Sequence, residues 1–269
     1  MLKHYLLIAI RNLLKYKTQS IVSIIGLAMG FTCFALATLW IRYEMTYDNF
    51  REGAERIFLV RNEDKNSKDG LSTVTPSPLA AYLQETFPEI EQAGNTRGGD
   101  SELKYEGITH PSCIIDMDSA LMKTFPVRLI SGNTNFLLPD NKEIAITEEL
   151  AEKLFGKENP IGKELMIYNE KRPVCAVVQS WGTHTNIPFD IIEANHQYAY
   201  WGALNWSTYI KVREGTDIKA FSKKLYEHTI EQDHTLLEHL VLTPITRLRY
   251  DHPIEEATVK FNHILLFAL

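Results

Sequence analysis

The run from Ile21 to Ile41, IVSIIGLAMGFTCFALATLWI, holds 21 residues without a single charge. That length crosses the roughly 30 Å hydrocarbon core of a bilayer as one helix, so the rest of the chain must be divided between its two ends. The first 20 residues carry Lys3, Arg11, Lys15 and Lys17 and no acid. Net charge is −6 overall and +4 in that segment, which leaves −10 for the remainder. The positive-inside rule then expects a cytoplasmic N-terminus and a large domain on the other side of the membrane. An acidic domain argues against nucleic acid as a partner.

Other readings of the apolar run fit less well. Ala35-Leu36-Ala37 has the form of a signal-peptidase site, but the apolar run continues past it through Ile41, and the basic segment before it is long for a signal peptide. Cys33 follows Thr32 in mid-run and makes a poor lipoprotein cysteine. Membrane lipid is therefore an expected partner of 21–41.

Residues 1–17 segregate as a helix lying in the interface. At 100° per residue Leu2, Tyr5, Leu6, Ala9, Leu13 and Tyr16 share one face, and Lys3, His4, Arg11, Asn12 and Lys15 the other. Inside the anchor, Gly26 and Gly30 form a GxxxG with Ser23, Ala28 and Thr32 nearby. Small residues let helix backbones approach closely, so Gly26 and Gly30 are the candidate helix-packing positions. Trp40 and Tyr43 sit where an interfacial aromatic belt is expected.

Beyond the anchor about 215 residues remain, enough for one large or two small domains. A strand is expected over 56–62. A helix comes next with Ser77 as N-cap, Pro78 in its first turn and Leu79, Leu83 and Phe87 buried. Pro88 either ends it at Phe87 or lets it resume through Ile90. Trp206, Thr208, Ile210 and Val212 alternate with Ser207, Tyr209, Lys211 and Arg213, the period of a half-buried strand. A helix capped by Asp217 and a strand over 238–246 complete a second unit. Two such units separated by an insertion indicate an α+β sheet of split βαβ type.

The insertion reads as β-rich, with strands over 112–116, 143–146, 164–168 and 172–178. It has one clear helix, begun by Thr147, Glu148 and Glu149 and closed by Gly156. The expected division is 1–20 cytoplasmic amphipathic segment, 21–41 transmembrane helix, 42–99 with 196–260 as the α+β subdomain and 100–195 as the inserted one. A second apolar run, 261–269, would begin another membrane helix.

Catalytic patterns are lacking. The stretch from Gly156 to Lys163 has five residues between its glycines where a phosphate loop has four, and Glu164 where Ser or Thr would hold magnesium. A helix C-cap followed by a Pro–Gly turn accounts for it. No HExxH, GxSxG or CxxC occurs. Cys113 and Cys175 could pair in an oxidising compartment, with two unpaired thiols as the plainer alternative. The expectation is a non-enzyme with no catalytic, cofactor-binding or metal-binding residues.

Several stretches together resemble one family. Tyr43-Glu-Met-Thr-Tyr-Asp-Asn-Phe50 with Ala54-Glu-Arg-Ile-Phe58 is similar to the segment after the first membrane helix of MacB/FtsX-like ABC transporter permeases, the Bacteroidetes type above all. Ile144 through Gly156, continued by Asn159-Pro-Ile-Gly-Lys163, resembles their periplasmic core domain. Pro188-Phe-Asp190, Trp206–Ile210, Leu242–Ile245 and Phe261–Ile264 come in the family's order, and Ile10-Arg-Asn-Leu13 resembles its amphipathic start.

The resemblance implies a bacterial inner-membrane permease with a periplasmic main domain, acting in efflux or in lipoprotein and cell-envelope export. It implies a cytoplasmic ABC ATPase subunit that binds ATP and Mg, a second permease copy or homologue, and a periplasmic adaptor or lipoprotein. It also implies three further helices, so a truncated product or a fragment is expected. Gln179–Thr185 departs from the family's Pro-containing turn. A membrane-anchored extracytoplasmic sensor or ligand-binding domain is the alternative from another class.

Overall fold

The computed structural model describes residues 2–67, 70–139, 141–182, 184–194 and 200–248. The chain divides into two units, one holding Met1–Thr46 and the other Tyr47–His252. The apolar run 261–269 lies outside the described residues.

In the first unit, helix α1 covers Leu2–Lys15 and α2 covers Lys17–Glu44. Tyr16 between them leaves helical geometry, with φ −108° and ψ 57°. At 1.5 Å per residue α2 is about 42 Å long, more than a bilayer core requires. None of its residues is buried by other parts of the chain. Thr32 and Thr38 hand their hydroxyl protons to the carbonyls of Ala28 and Phe34, each at 2.8 Å, so neither hydroxyl is left unsatisfied on an apolar helix.

The second unit runs β1 (Ile57–Glu63), β2 (Leu71–Ser72), α3 (Leu79–Thr86), β3 (Ile90–Thr96), β4 (Gly98–Tyr105), β5 (Ile108–Met117) and α4 (Ser119–Thr124). It continues with β6 (Leu129–Gly132), β7 (Ile144–Thr147), α5 (Glu148–Phe155), β8 (Glu164–Ile167), β9 (Glu170–Val178) and β10 (Ile191–Ala194). The last helices and strands among the described residues are β11 (Ser207–Val212), α6 (Ile218–Tyr226) and β12 (Leu240–Pro244).

The first sheet has the order β12-β1-β11-β3, with β2 added to β1. Its neighbours are antiparallel. Helix α3 therefore carries the chain from β1 across β11 to β3, and α6 carries it from β11 across β1 to β12, the split βαβ arrangement. Both helices cover one face, where Phe58, Val60, Leu83, Phe87, Ile210 and Phe221 form a core.

The second sheet, β6-β9-β7-β10-β5-β4-β8, closes on itself because β8 also pairs with β9. Six strands thus make a barrel, with β7–β9 and β10–β5 parallel. All six send side chains into one cluster, among them Leu103, Ile114, Ile146, Leu165, Val174 and Ile191. Helix α5 adds Leu150 and Phe155 to it. The opposite faces of these strands, through Ile115, Met117, Ala176 and Ile192, join Ile57, Leu59 and Tyr209 of the first sheet in a shared core.

That shared core corrects one expectation. Tyr209 is 6% exposed, because the barrel covers the face of β11 that the alternating pattern left to solvent. Two more corrections concern α3 and the residues just after it. Pro78, rather than Ser77, is the N-cap, and it caps without a side-chain hydrogen bond. The Ser77 carbonyl instead accepts from Asn95 Nδ2 at 2.6 Å. The helix stops at Thr86, Phe87 is extended, and Ile90 opens a strand rather than resuming the helix.

The helix begun by Thr147 forms as expected, with the Thr147 hydroxyl accepting from Leu150 N at 3.3 Å, and Asp217 caps α6 through Lys219 N and Ala220 N. Strands β4, β6 and β10 and the short helix α4 carry no clear sequence signal. Strand β6 needs Gly132 at φ +91°, where a side chain would collide with the Cys175 carbonyl of β9.

Candidate functional site at Asp48 and Arg51

Only Met45, Thr46 and Tyr47 separate the last residue of α2 from Asp48. Asp48 is fully buried and sits at φ +57°, a left-handed conformation that Asp tolerates better than most residues. The turn is held by Arg51 N donating to the Asp48 carbonyl at 3.3 Å. It aims the carboxylate inward.

Four donors converge on that carboxylate. Oδ1 accepts from Arg51 Nε at 2.9 Å and from the Thr185 hydroxyl at 2.5 Å. Oδ2 accepts from the backbone N–H of Asn186 at 2.9 Å and from its Nδ2 at 2.7 Å. Asn186 Nδ2 also reaches the Ile245 carbonyl at 3.4 Å. A single buried charge thereby ties three distant stretches: the start of the unit, the loop before β10, and the turn after β12.

Arg51 completes the node. Its side chain is 6% exposed, with Nη2 donating to Thr185 Oγ1 at 2.8 Å. Its guanidinium carbon lies 4.1 Å from the Trp181 ring centre, 4.8 Å from Phe125 and 4.9 Å from Phe50, a packing that suits a planar, weakly hydrated cation. Burial lowers its pKa from the usual arginine value, and the Asp48 charge opposes that shift. Burial also pushes the Tyr209 phenol well above its ordinary range, with the Asp48 charge adding to the rise.

Chemically the node is a fastening. The carboxylate's acceptor capacity is taken up by four donors, and Arg51 is locked between aromatic rings, so neither group is placed to exchange protons with a substrate. Among the described residues, no group of three or more His, Cys, Asp or Glu is arranged to hold a metal ion.

In the sequence, Asp48 and Arg51 carry no evident role, and Gln179–Thr185 stands out only as a departure from a family pattern. The structure brings these stretches together, apart from Thr183, which is outside the described residues. A charged pair of Asp and Arg close behind an apolar span was the available signal. Gly26 and Gly30 lie on α2 with open space where a side chain would go. Cys113 on β5 and Cys175 on β9 are not joined by a disulfide. Cys113 Sγ donates to the Pro188 carbonyl at 3.1 Å, and burial pushes the Cys175 thiol up to about 11.

The sequence profile described as MacB-like periplasmic core domain matches residues 20–227. The chain belongs to this family. No curated protein sequence matches it. Among solved structures, a domain from a protein named as a permease in Porphyromonas gingivalis is similar at TM-score 0.58 and 22% identity. The alignment covers 72% of this chain and 92% of that one. The periplasmic region of MacB from Actinobacillus actinomycetemcomitans is similar at 0.53 and 12%, covering 73% and 92%. The extracellular domain of the noncanonic ABC-type transporter YknZ from Gram-positive bacteria gives 0.52 and 14%, covering 70% and 99%.

These likenesses fix the fold: the MacB-like domain here is the two-sheet unit that comes after an apolar helix. The node lies inside the matched residues except for Ile245, which falls beyond residue 227.

Proposed function

We propose that this chain is the permease subunit, or the N-terminal part of one, of a MacB/FtsX-like ABC exporter. In this reading α2 anchors it in the bacterial inner membrane with α1 on the cytoplasmic side and the two-sheet unit in the periplasm. A cytoplasmic ATPase subunit binds ATP and Mg and hydrolyses ATP. The permease, paired with a second copy or a homologue, converts that hydrolysis into periplasmic domain movement for efflux or for lipoprotein and cell-envelope export.

The observation that supports coupling is the Asp48–Arg51 node. A lever needs a stiff attachment near the point where it enters the load, and a loosely packed linker would absorb the motion instead. Here the first residues after α2 are fastened by a buried ion pair to the loop before β10 and to the turn after β12. A buried pair with every partner satisfied resists local opening, because breaking it strands a charge. Gly26 and Gly30 would supply the close approach of α2 to a neighbouring membrane helix.

The test uses the gene extended past Leu269 and co-expressed with its ATPase in lipid nanodiscs. Spin labels on the two-sheet unit should show an ATP-dependent change in distance between permease copies. Arg51→Met should uncouple that change from hydrolysis while the ATPase still turns over. A wild-type complex whose labels ignore nucleotide would sink the proposal. The encoded sequence downstream discriminates the sensor alternative: three apolar spans favour the permease, whereas one span leading into a helical signalling module favours the sensor.

A further inference from the structure

A second buried acidic group lies in the barrel. Strands β5 and β10 are parallel neighbours, and their register sets Asp116 directly beside Glu193. Asp116 is 4% exposed and Glu193 7%. Both project on the same face as Ile114 and Ile191, toward the barrel cluster. Helix α5 leaves from the far end of β7, so the two acids occupy the end of the barrel that α5 leaves uncapped.

The surrounding charges do not fully compensate them. Arg97, just before β4, brings Nη2 to 3.1 Å from Asp116 Oδ2, but its side chain is 47% exposed and its guanidinium lies over the Trp206 ring at 4.7 Å. From β9, Arg172 Nη2 stands 4.0 Å from Glu193 Oε2 and closer, at 3.5 Å, to Glu170. Glu170 in turn meets Lys142 at 3.3 Å. Asp118, at the end of β5, is occupied in capping α4 through Leu121 N.

Glu193 Oε2 has no hydrogen-bond partner, Asp116 Oδ2 has only the Arg97 guanidinium at 3.1 Å, outside hydrogen-bond alignment, and both oxygens are shut off from solvent. The backbone cannot relieve this by shifting. Asp116 N donates to the Arg97 carbonyl at 2.7 Å, and the Asp116 carbonyl accepts from Thr96 Oγ1 at 2.7 Å. Two buried carboxylates side by side, short of donors, favour holding one proton between them.

We propose that Asp116 and Glu193 share a proton as a carboxyl–carboxylate clasp between β5 and β10, and that losing this proton loosens this end of the barrel. The protonated Asp116 carboxyl donates to the Glu193 carboxylate, giving the pair a charge of −1. Deprotonation releases the proton to the surrounding solution and leaves two like charges on adjacent strands. Burial, and next the Glu193 charge, push Asp116 up to about 7 against the pull of Arg97. The clasp therefore opens as the compartment turns from mildly acidic to mildly alkaline. This is independent of the Asp48–Arg51 node.

Hydrogen exchange on the full chain in nanodiscs tests it, with rates corrected for the intrinsic effect of pH. Peptides covering β5 and β10 should lose about tenfold or more in protection from pH 6 to pH 8, as expected for a titration spanning at least one pK unit. Asp116→Asn and Glu193→Gln should each abolish that loss. No loss in the wild type, or the same loss in both variants, overturns the clasp. Infrared spectroscopy of the wild type gives a readout that needs no variant. A buried protonated-carboxyl band present at pH 6 should vanish through about pH 7, and its absence at pH 6 overturns the proposal.

Discussion

Two buried acidic groups among the described residues are built in opposite ways. Asp48 is surrounded by four donors, one of them an arginine held among aromatic rings. Asp116 has a second carboxyl as its closest neighbour in register and a half-exposed arginine as its counter-charge. Both bury an acid in a domain core, yet only the first is satisfied in its ionised form. Burial alone therefore does not determine whether a charge stiffens a fold or makes it responsive. The number and sign of its partners does.

The largest test breaks the satisfied group. Asp48→Ala strands the Arg51 cation and should cost about 3–5 kcal/mol in unfolding free energy, as for other buried pairs cut on one side. Denaturant titration of the detergent-solubilised chain, followed by tryptophan fluorescence, would measure it. Asp48→Leu combined with Arg51→Met should cost less than Asp48→Ala alone, since no charge is then left buried. A double variant as unstable as the single one would mean that the loop geometry, rather than the charge, dominates.

A smaller cut sharpens the same point. Thr185→Val keeps the shape and removes the hydroxyl's hydrogen bonds to both Asp48 and Arg51, which should cost at least about 1.5–3 kcal/mol. A value near zero would show that the other three donors suffice.

The other acidic group should reveal itself through pH. Its folded pKa lies above the unfolded value of 3.8, so the folded state binds more protons across the interval between them. Stability therefore falls as pH rises from about 4 to about 7, and the loss is complete above that range. Glu89 is shifted downward by its hydrogen bond to Lys224 and contributes with the opposite sign. The diagnostic quantity is thus the difference between the wild type and Asp116→Asn. At pH 8 the variant should melt at least about 3 °C higher relative to the wild type than it does at pH 5. Parallel melting curves at both pH values would erase the distinction between the two groups.

Two controls should leave the comparison untouched. Thr147→Ala removes the α5 cap and should cost about 1 kcal/mol, equally at both pH values. Lys171→Ala deletes an ion pair with Glu164 in which both side chains are more than half exposed. It should produce no measurable change in the melting midpoint.

Much of the framework was legible locally. Thr147, Glu148, Glu149 and Gly156 mark both ends of α5, and Asp217 with Ile218, Phe221 and Leu225 marks α6, because caps and apolar periodicity are written within a few residues. Strands β4 and β6 were not legible. The first is mostly polar, and the second has only four residues, all exposed; both are defined by the strands beside them. Tyr209 misled for the same reason, since nothing within β11 states that a barrel covers its second face.

The sequence by itself determined that this chain carries an apolar helix long enough to cross a bilayer core, because an uncharged run of 21 residues is a local property. It also determined that a split βαβ frame lies beyond that helix, since strand and helix periods are local properties. Only the tertiary structure decided which acids are buried and which groups meet them. Asp48 finds Asn186 across 138 positions, and Asp116 faces Glu193 through the register of two strands far apart in the chain. Such pairings depend on how the barrel closes and how the sheets share a core, and no short window of sequence contains that information.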